Sequence, residues 1–354
     1  MGAHASCCFA GLAAAGVAAN MVGKKRAALA DSYDLGDELS RGTFGAVHAC
    51  VRRSTGSTYA VKRIPKRPNA LASIDLEVAL LLRLAHPLVV ELHEVYPGLD
   101  TVDLVFTAYP GGDVTAAARR HWAAGGGDLA MRAVQNLTQQ MFRAIEWLHS
   151  NGVVHRDVKG DNCLLDRPSP SDPACRLVLA DLGAAAQIRP GERLEAPCGT
   201  PQYWAPEIYA RSYGPKVDVW AGGMVAYCLV ARQFPFASPE QARAARGVQI
   251  PSRCGAAAGD FMLGALAPLE EDRLSAAAAL EHPFLLALFL LDAAAASLGE
   301  APSSLPCVVP DHATACGGQS PSIQAAPTPT TTAESLPADE VRSSSSSSSD
   351  PLEL

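Results

Sequence analysis

The feature that most constrains this 354-residue chain is a polar run near its middle, followed by a second, shorter acidic run. Residues 155–162 read His-Arg-Asp-Val-Lys-Gly-Asp-Asn, and residues 181–183 read Asp-Leu-Gly. The stretch between them predicts a hairpin whose Pro- and Ser-rich insertion, residues 167–175, bulges into solvent. Asp157 can accept a proton, while the Asn162 amide and the Asp181 carboxylate offer the oxygen ligands that Mg²⁺ prefers.

Two further motifs lie upstream. Residues 38–47, Glu-Leu-Ser-Arg-Gly-Thr-Phe-Gly-Ala-Val, predict a strand, a glycine-rich turn and a second strand. Residues 59–62, Tyr-Ala-Val-Lys, predict another strand that ends in a cation. Each motif alone is a weak signal, because most short charged or glycine-containing runs are ordinary turns. In this order along one chain they are the parts that phosphoryl transfer from a nucleotide requires.

With these motifs the chain resembles the eukaryotic protein kinases over about residues 32–286. The resemblance implies an α+β, two-lobed protein kinase fold. Its N-lobe, about residues 32–109, is a small antiparallel β-sheet with helix αC, and its larger helical C-lobe covers about residues 110–286. The resemblance also implies ATP and Mg²⁺ as cofactors.

In the family the glycine-rich loop covers the nucleotide phosphates with backbone N–H groups, and the strand lysine, here Lys62, binds the α- and β-phosphates. Ser40 replaces the first of the three family glycines, and the Cβ of serine predicts a loop that is stiffer or sits differently over ATP. The resemblance assigns to the nucleotide site Leu39, Ser40, Gly42, Gly45, Val47, Ala60, Lys62, Glu77, Phe106, Asp113 and Asp181.

Apolar residues at helical spacing over residues 74–84 predict helix αC. Glu77 occupies the family's position for the glutamate that pairs with the strand lysine, so we expect it to hold Lys62 toward the phosphates. Asp75 is the second choice of partner. A solvated glutamate on an amphipathic helix is the alternative interpretation of Glu77.

Residues 104–113 look like the family's hinge, which contacts adenine. Phe106 falls at the gatekeeper position, where its bulk closes the pocket behind the adenine. Thr107 stands where many relatives carry Glu, a change that adenine binding tolerates because it uses hinge backbone groups. Asp113 is placed to meet the ribose or a basic residue of the substrate.

The resemblance implies four catalytic residues, which are Asp157, Lys159, Asn162 and Lys62. Asp157 accepts the proton of the attacking hydroxyl, Lys159 neutralises the γ-phosphate as it transfers, and Asn162 and Asp181 hold the metal. Lys159 together with Gly-Thr-Pro at 199–201 points to the serine/threonine branch, and Thr200 is placed to hydrogen-bond the Asp157 and Lys159 pair. The sequence as a whole, for example Tyr-Asp-Leu-Gly at 33–36 and His-Pro at 86–87, most resembles the calcium/calmodulin-dependent group of these kinases.

Three further positions match structural roles in the family. Glu207, at the end of the activation segment, is expected to form a buried ion pair with Arg273. Breaking such a pair leaves a charge stranded in a low dielectric. Asp218 is expected to brace the backbone of the catalytic loop.

The activation loop, residues 184–198, contains no Ser, Thr or Tyr. Kinases with an arginine before the catalytic aspartate, here Arg156, usually dock it on an activation-loop phosphate. We therefore expect Glu192 or Glu195 to replace the phosphate as the partner of Arg156, which makes activity independent of an upstream kinase.

Residues 1–31 form a leader that begins Met-Gly-Ala-His-Ala-Ser-Cys-Cys. Gly2 with the downstream serine fits N-myristoylation, and Cys7 and Cys8 are candidates for palmitoylation, the second anchor that durable membrane binding requires. A plain leader and a signal peptide are the alternatives, although no Lys or Arg precedes the apolar run at 9–22. The expected location is intracellular and cytoplasmic, at the cytoplasmic face of a membrane where acylation occurs.

The C-terminal residues 287–354 predict a disordered, acidic, Pro-, Ser- and Thr-rich tail. Residues 293–354 hold seven acids and one base, so most of the net charge of −7 lies there. The remaining part is nearly neutral, which gives no reason to expect a nucleic-acid partner. No Asp-x-Asp-x-Asp-Gly loop indicates an EF-hand, and the ten cysteines lack Cys-x-x-Cys pairs, as in a reducing setting.

The apolar octet at 284–291 is too short to span a membrane and is expected to pack on the C-lobe. The implied partners are proteins with Ser or Thr acceptors. Asp113 and Asp161 lie where relatives recognise basic residues upstream of the acceptor, although Cys228 replaces a third acid. The rival interpretation is a pseudokinase that acts as an ATP-binding or scaffolding module, against which the complete catalytic set argues.

Overall fold

A computed structural model of the chain describes residues 28–42, 45–67, 71–244 and 248–286. Within these ranges a β-sheet comes first in the chain and a mainly helical part follows. No helix in the described ranges is both long enough and apolar enough to cross a membrane. The residues before 28 and after 286 lie outside the description.

The sheet has five strands in the order β1-β2-β3-β5-β4, and each neighbouring pair is antiparallel. Lys62 on β3 lies opposite Val47 on β2 and Leu104 on β5, so the strand cation sits in the middle of the sheet. The interior strand β5 is buried along most of its length, whereas the edge strand β1 is exposed after its first residue. The strands are β1 (Tyr33–Gly42), β2 (Gly45–Arg52), β3 (Thr58–Pro65), β4 (Leu92–Pro97) and β5 (Thr101–Thr107).

A short helix, α1 (Leu29–Ser32), precedes the sheet and packs on it. Leu29 and Tyr33 are buried in a small apolar cluster, where the Tyr33 hydroxyl accepts a 2.9 Å hydrogen bond from Arg52 Nε. The Arg52 guanidinium also pairs with Glu94 and lies over the Tyr33 and Tyr59 rings. The last residues of the predicted leader are therefore attached to the outer part of the sheet.

Helix α2 (Leu71–Arg83) packs on the sheet and is the helix that the sequence predicts as αC. Its buried positions are spaced three or four apart, as an amphipathic helix requires. Glu77 lies among them, buried beside leucines and valines. A buried carboxylate needs a partner, because burial of an unpaired charge is costly.

The helical part is built around two helices, α4 (Met131–Ser150) and α6 (Lys216–Ala231). α4 buries one face and α6 is buried almost all round, because it lies at the centre of the lobe. Phe284 and Leu285 pack into this core, while the rest of the predicted apolar octet lies mostly outside the described residues. The helices are α3 (Val114–Ala123), α4 (Met131–Ser150), α5 (Pro206–Tyr209), α6 (Lys216–Ala231), α7 (Pro239–Ala244), α8 (Gly255–Ala265) and α9 (Ala276–Leu280).

Two small sheets lie between the lobes and carry the catalytic motifs. One has the order β6-β8-β9, and the other pairs β7 with β10. The insertion at 167–175 joins β8 to β9; it is mostly exposed, but Pro170 and Cys175 are buried. The predicted α+β, two-lobed fold is confirmed. The strands are β6 (Gly112–Asp113), β7 (Val153–Val154), β8 (Cys163–Leu165), β9 (Leu177–Leu179) and β10 (Ala186–Gln187).

Candidate active site

The Lys62 ammonium joins the two lobes. Lys62 Nζ lies 2.7 Å from Glu77 Oε1 on α2 and 2.6 Å from Asp181 Oδ1, which follows β9. Gly183 packs against all three charged groups; a Cβ there would come within 3.1 Å of Asp181 Oδ1 and 3.3 Å of Lys62 Nζ. Glu77, and not the second choice Asp75, is therefore the partner, and the following glycine leaves room for the cluster.

Burial and charge compete in this cluster. Burial lowers the pKa of Lys62, but attraction to Glu77 and Asp181 outweighs burial and raises the pKa above its usual value. Burial raises the pKa of Asp181, yet the neighbouring Lys62 brings that pKa below its usual range. For Glu77 burial prevails and the pKa is raised, with Lys62 offsetting part of the effect. Lys62 thus favours an ionised Asp181, which is the form that binds a metal.

The Asp157 carboxylate is held by four hydrogen bonds. Thr200 donates to Oδ1 from its backbone N at 2.9 Å and from its hydroxyl at 2.7 Å. Lys159 Nζ donates to Oδ2 at 2.9 Å and to the Thr200 hydroxyl at 2.9 Å, and Asn162 Nδ2 lies 3.3 Å from Oδ2. Gly199 makes the approach of Thr200 possible, since a Cβ there would lie 2.1 Å from Arg156 O. The carboxylate therefore has one orientation.

Asp218, at the start of α6, holds the backbone of the catalytic loop through its carboxylate. It is buried, and its two oxygens accept 2.8 Å hydrogen bonds from the backbone N–H groups of His155 and Arg156. His149 Nε2 lies 2.9 Å from Asp218 Oδ2. Burial raises the pKa of Asp218, but the hydrogen bond and charge of His149 lead the effects that bring it below its usual value. Asp218 thus braces the loop as an ionised group.

His155 links the catalytic loop to Asp181. Its buried ring accepts a hydrogen bond at Nδ1 from Asp157 N, 3.2 Å away, so Nε2 carries the proton and donates to Ala180 O at 3.0 Å. One imidazole thereby ties the residue before Asp181 to the backbone of Asp157. The sequence predicts no role for either His155 or His149, although His155 opens the 155–162 motif; no spacing signal distinguishes His149 from the other histidines.

The donor atoms fit a magnesium ion. Asn162 Nδ2 donates to Asp157 O at 2.8 Å, so the amide oxygen is the atom available to a cation, and Asp181 supplies a carboxylate. Mg²⁺ commonly binds through one or two protein oxygens together with water and substrate phosphates. Across the described ranges no cluster of three or more His, Cys, Asp and Glu side chains could hold a metal. Asn162 and Asp181 are the residues that would hold Mg²⁺ here.

Two non-glycine residues at the site have left-handed backbone. Arg156 has φ 67° and Asp181 has φ 65°, a region that costs energy for most side chains. At Asp181 the side chain helps, because Oδ1 accepts a hydrogen bond from Gly183 N at 3.3 Å. At Arg156 the two backbone bonds to Asp218 help to hold the conformation. Such strain is typical of residues that surrounding structure aims at a functional site.

The glycine-rich loop is less supported. Ser40 pairs with Val47 across β1 and β2 and is not among the described residues with positive φ, so serine fits there without strain. Leu39 is exposed, and a Cβ on Gly42 would meet nothing within 4 Å. At Gly45 a Cβ would lie 2.2 Å from Arg63 O, so the close approach of β2 to β3 requires glycine.

Two of the residues predicted to line the adenine pocket lie on adjacent strands. Ala60 on β3 is directly opposite Phe106 on β5, and Phe106 is buried. Thr107 ends β5, and its hydroxyl lies 2.7 Å from His93 Nε2. Asp113 begins α3, and its Oδ1 accepts a hydrogen bond from Ala116 N at 2.8 Å. The assignment of Asp113 to a ribose or a substrate cation stays a prediction.

The prediction that Glu192 or Glu195 pairs with Arg156 is wrong. Its Nε donates to Ala184 O at 2.7 Å, and its other nitrogens lie 3.5 Å from Ala185 O and the Tyr213 hydroxyl. Glu192 instead accepts a hydrogen bond from Arg189 N at 2.9 Å, and among the described residues neither Glu192 nor Glu195 forms an ion pair with Arg156. The sequence cannot show where the loop runs, because tertiary contacts set its path.

The remaining predicted contacts lie farther from the reacting groups. Arg273 is buried and makes two bonds to Glu207, of which the Nη2–Oε2 distance is 3.0 Å. The predicted lipidation residues Gly2, Cys7 and Cys8 lie outside the described residues.

These groups, contributed by a β-sheet lobe and a helical lobe that meet at Lys62 and Asp181, define a protein kinase site. The chain belongs to the protein kinase family, because the family model of the protein kinase domain matches residues 33–285. Protein kinases generally use ATP and Mg²⁺.

Similar proteins indicate the group of protein kinases that this chain resembles. Calcium-dependent protein kinase 8 of Oryza sativa subsp. japonica is 34% identical over 269 residues, which cover 72% of this chain and 48% of that protein. Calcium/calmodulin-dependent protein kinase type IV of Homo sapiens is 33% identical over 215 residues, covering 60% and 44%. Calcium-dependent protein kinase 32 of Arabidopsis thaliana is 32% identical over 270 residues, covering 72% and 48%.

The predicted resemblance to the serine/threonine branch and its calcium/calmodulin-dependent group is confirmed. The chain spans about half the length of the curated relatives that it matches.

Proposed function

We propose that this chain is a protein serine/threonine kinase that transfers the γ-phosphoryl group of Mg-ATP to Ser or Thr hydroxyls of protein substrates. The arrangement around Asp157 is the observation that supports this most strongly. Thr200, Lys159 and Asn162 fix this carboxylate, and the His155 ring connects its loop to the residue before Asp181, the partner of Lys62. A buried charge braces the backbone of the same loop.

In this mechanism Asp157 accepts the proton of the substrate hydroxyl as that oxygen bonds to phosphorus and the bond between the γ-phosphorus and the ADP oxygen breaks. Thr200 and Lys159 fix the carboxylate, so it is oriented before substrate arrives. Lys159 also lies where it offsets negative charge beside the carboxylate. A positioned general base of this kind contributes about 10²- to 10⁴-fold to a rate.

Lys62 orients the nucleotide phosphates, and Glu77 keeps its ammonium in the cleft. Asn162 and Asp181 would hold Mg²⁺, which supplies electrostatic stabilisation of the transferring phosphoryl group. By the family resemblance, Gly42 and Gly45, which pair across β1 and β2, would cover the phosphates with backbone N–H groups, and the buried Phe106 would close the pocket behind the adenine.

The first experiment measures transfer of radiolabelled phosphate from Mg-ATP by the full chain to a degenerate library of Ser and Thr peptides. Asp157→Asn is the test variant, because asparagine preserves the shape of the side chain but is a far weaker base. We expect a fall of about 10²-fold or more in kcat. ATP binding, followed by fluorescence of a nucleotide analogue, should stay near that of the parent chain.

Equal transfer by the parent chain and Asp157→Asn would contradict the proposal. Nucleotide binding without transfer in the parent chain would instead favour the pseudokinase interpretation. The peptide library also tests a preference for basic residues upstream of the acceptor, which we propose from Asp113 and Asp161. Asp161 is exposed, so it is accessible to a substrate side chain. Transfer that shows no preference for peptides with basic residues would contradict the proposed roles of Asp113 and Asp161.

We also propose that activity does not require phosphorylation of the activation loop. The loop has no Ser, Thr or Tyr between residues 184 and 198, and Arg156 binds carbonyl groups there. The full chain treated with a broad-specificity phosphatase should keep its kcat within about twofold, since no phosphate on the loop is involved. A large loss of activity would contradict this.

The proposed location is the cytoplasm, with attachment to the cytoplasmic face of a membrane through myristoylated Gly2 and palmitoylated Cys7 and Cys8. Two lipid chains bind a membrane durably, whereas one myristoyl chain binds only marginally. In cells, Gly2→Ala should release the chain from the membrane fraction, and replacing both cysteines with serine should weaken its attachment. Metabolic labelling with an alkyne myristate analogue checks the first modification, and absence of label would contradict it.

A further inference from the structure

The activation loop is tied to the segment that follows α5. Leu194 and Tyr213 exchange two backbone hydrogen bonds, of 2.9 and 3.0 Å. The buried Tyr213 ring directs its hydroxyl to Ala196 O, to which it donates at 2.6 Å. The same hydroxyl lies 3.5 Å from Arg156 Nη1, so one phenol reaches both the loop and the residue before Asp157.

An ion pair holds the same loop one residue earlier. Arg193 Nη2 lies 2.6 Å from Glu270 Oε2 and 2.5 Å from Ser212 O. Gly214 packs against this pair, because a Cβ there would lie 2.8 Å from Glu270 Oε1. The Lys216 ammonium in turn donates to Glu270 O at 2.9 Å, which fixes the turn that carries the acid.

Together these contacts form what we call the Tyr213 clasp: the bonds of Tyr213 to Leu194, Ala196 and Arg156, and the Arg193–Glu270 ion pair. We propose that Tyr213 and Glu270 are positioning residues that hold the activation loop, and through Arg156 the Asp157 loop, in place without a loop phosphate. The proposal rests on the proposed kinase function. It replaces the expected pairing of Arg156 with Glu192 or Glu195.

The geometry explains how a loop without a phosphate stays ordered. A loop phosphate would act by adding charge and acceptor oxygens opposite arginine. Here the acceptors for Arg156 are main-chain carbonyls of Ala184 and Ala185, and the far side of the loop is held by Tyr213 and Glu270. Arg156 is thereby satisfied by neutral oxygens, and the loop needs no added anion to be fixed.

The test compares Tyr213→Phe with Tyr227→Phe in the full chain. Both tyrosines are buried and both donate a hydroxyl bond to a carbonyl, at 2.6 Å to Ala196 and at 2.7 Å to Gln249. Only the first lies against the activation loop. Phenylalanine keeps the ring and the backbone bridge, so it removes the hydroxyl bonds alone. Thermal melting shows that both variants are folded.

We expect Tyr213→Phe to lower kcat about three- to tenfold while KM for ATP changes less than about twofold, since only the hydroxyl contacts with Ala196 O and Arg156 are lost, neither of them at a predicted nucleotide contact. Limited trypsin digestion should cut the bond between Arg193 and Leu194 faster in Tyr213→Phe and in Glu270→Gln than in the parent chain. Arg193→Glu combined with Glu270→Arg should restore part of the kcat lost in either single variant.

Cleavage after Arg193 at the parental rate in Tyr213→Phe, or an equal change in Tyr227→Phe, would overturn the proposal. Proteolysis does not depend on phosphoryl transfer, so it separates the two levels of inference. A chain that transfers no phosphate but whose loop is protected by the clasp would contradict the proposed function and leave the clasp intact.

Discussion

The catalytic loop, residues 155–162, and the glycine-rich loop, residues 38–47, are held very differently. The first is largely buried, and Asp218 and the His155 ring bind its backbone from within the lobe. In the described part of the second, only strand pairing and an exposed Arg41–Glu38 pair provide support. The groups that react are fixed before substrate arrives, whereas the cover over the nucleotide can adjust to what it binds.

Removing the brace of the catalytic loop should have the largest effect. Asp218→Asn leaves the backbone N–H groups of His155 and Arg156 without their charged acceptor and should cost about 3 kcal/mol of unfolding free energy. It should also lower kcat, because the Asp157 loop loses its support. Chemical denaturation and steady-state kinetics measure the two effects.

The matched control is Asp260→Asn, which removes a similar contact of 3.1 Å to His282 from an aspartate whose side chain is 80% exposed. It should cost about 0–1 kcal/mol. Equal losses of unfolding free energy in the two variants would contradict the view that the burial of Asp218 makes its contacts more stabilising.

Acid should weaken the same brace. The pKa of Asp218 lies below its usual 3.8 in the folded chain, so its ionised form contributes stability that is complete above that value and is lost as the pH falls through the lower folded pKa. The difference in unfolding free energy between the parent chain and Asp218→Asn should stay constant above about pH 5 and narrow below about pH 4. A difference that stays constant down to pH 2 would contradict this sign.

A smaller effect is expected in the glycine-rich loop. Gly45→Ala places a Cβ 2.2 Å from the Arg63 carbonyl, which is fixed by the pairing of β2 with β3. The loop must shift, and KM for ATP should rise about tenfold. Gly42→Ala is the comparison within the loop, because a Cβ there meets nothing within 4 Å; its effect on KM should be clearly smaller.

The smallest effect belongs to Ser40→Gly, which restores the family glycine. Ser40 is not strained and its backbone is paired in the strand, so the change should move KM for ATP by less than about twofold. Kinetics at several ATP concentrations measure this. A large gain in affinity would show that the serine stiffens the loop, as the sequence alone suggests.

Sequence reasoning found the contacts that follow from motif positions. Lys62 with Glu77, and Glu207 with Arg273, come together because the family fold brings those strand and helix positions together whatever their surroundings. Asp218 was found in the same way.

The contacts that were missed depend on the path of the chain in space. No periodicity distinguishes Tyr213 from other tyrosines, or His149 from other histidines, until the loop and α4 are placed beside them. The partner of Arg156 was wrong for the same reason, because charge alone favoured glutamate and the local geometry offered carbonyls. Contacts between fixed motif positions can thus be inferred from the sequence. The contacts made by the segments that connect the motifs cannot.

The activation loop that Tyr213 holds carries no hydroxyl between residues 184 and 198. In a cell, such a loop offers a phosphatase nothing to remove and an upstream enzyme nothing to add. Under the proposal that activity needs no loop phosphate, control exerted at this loop would pass from chemical modification to the synthesis, turnover and transport of the chain.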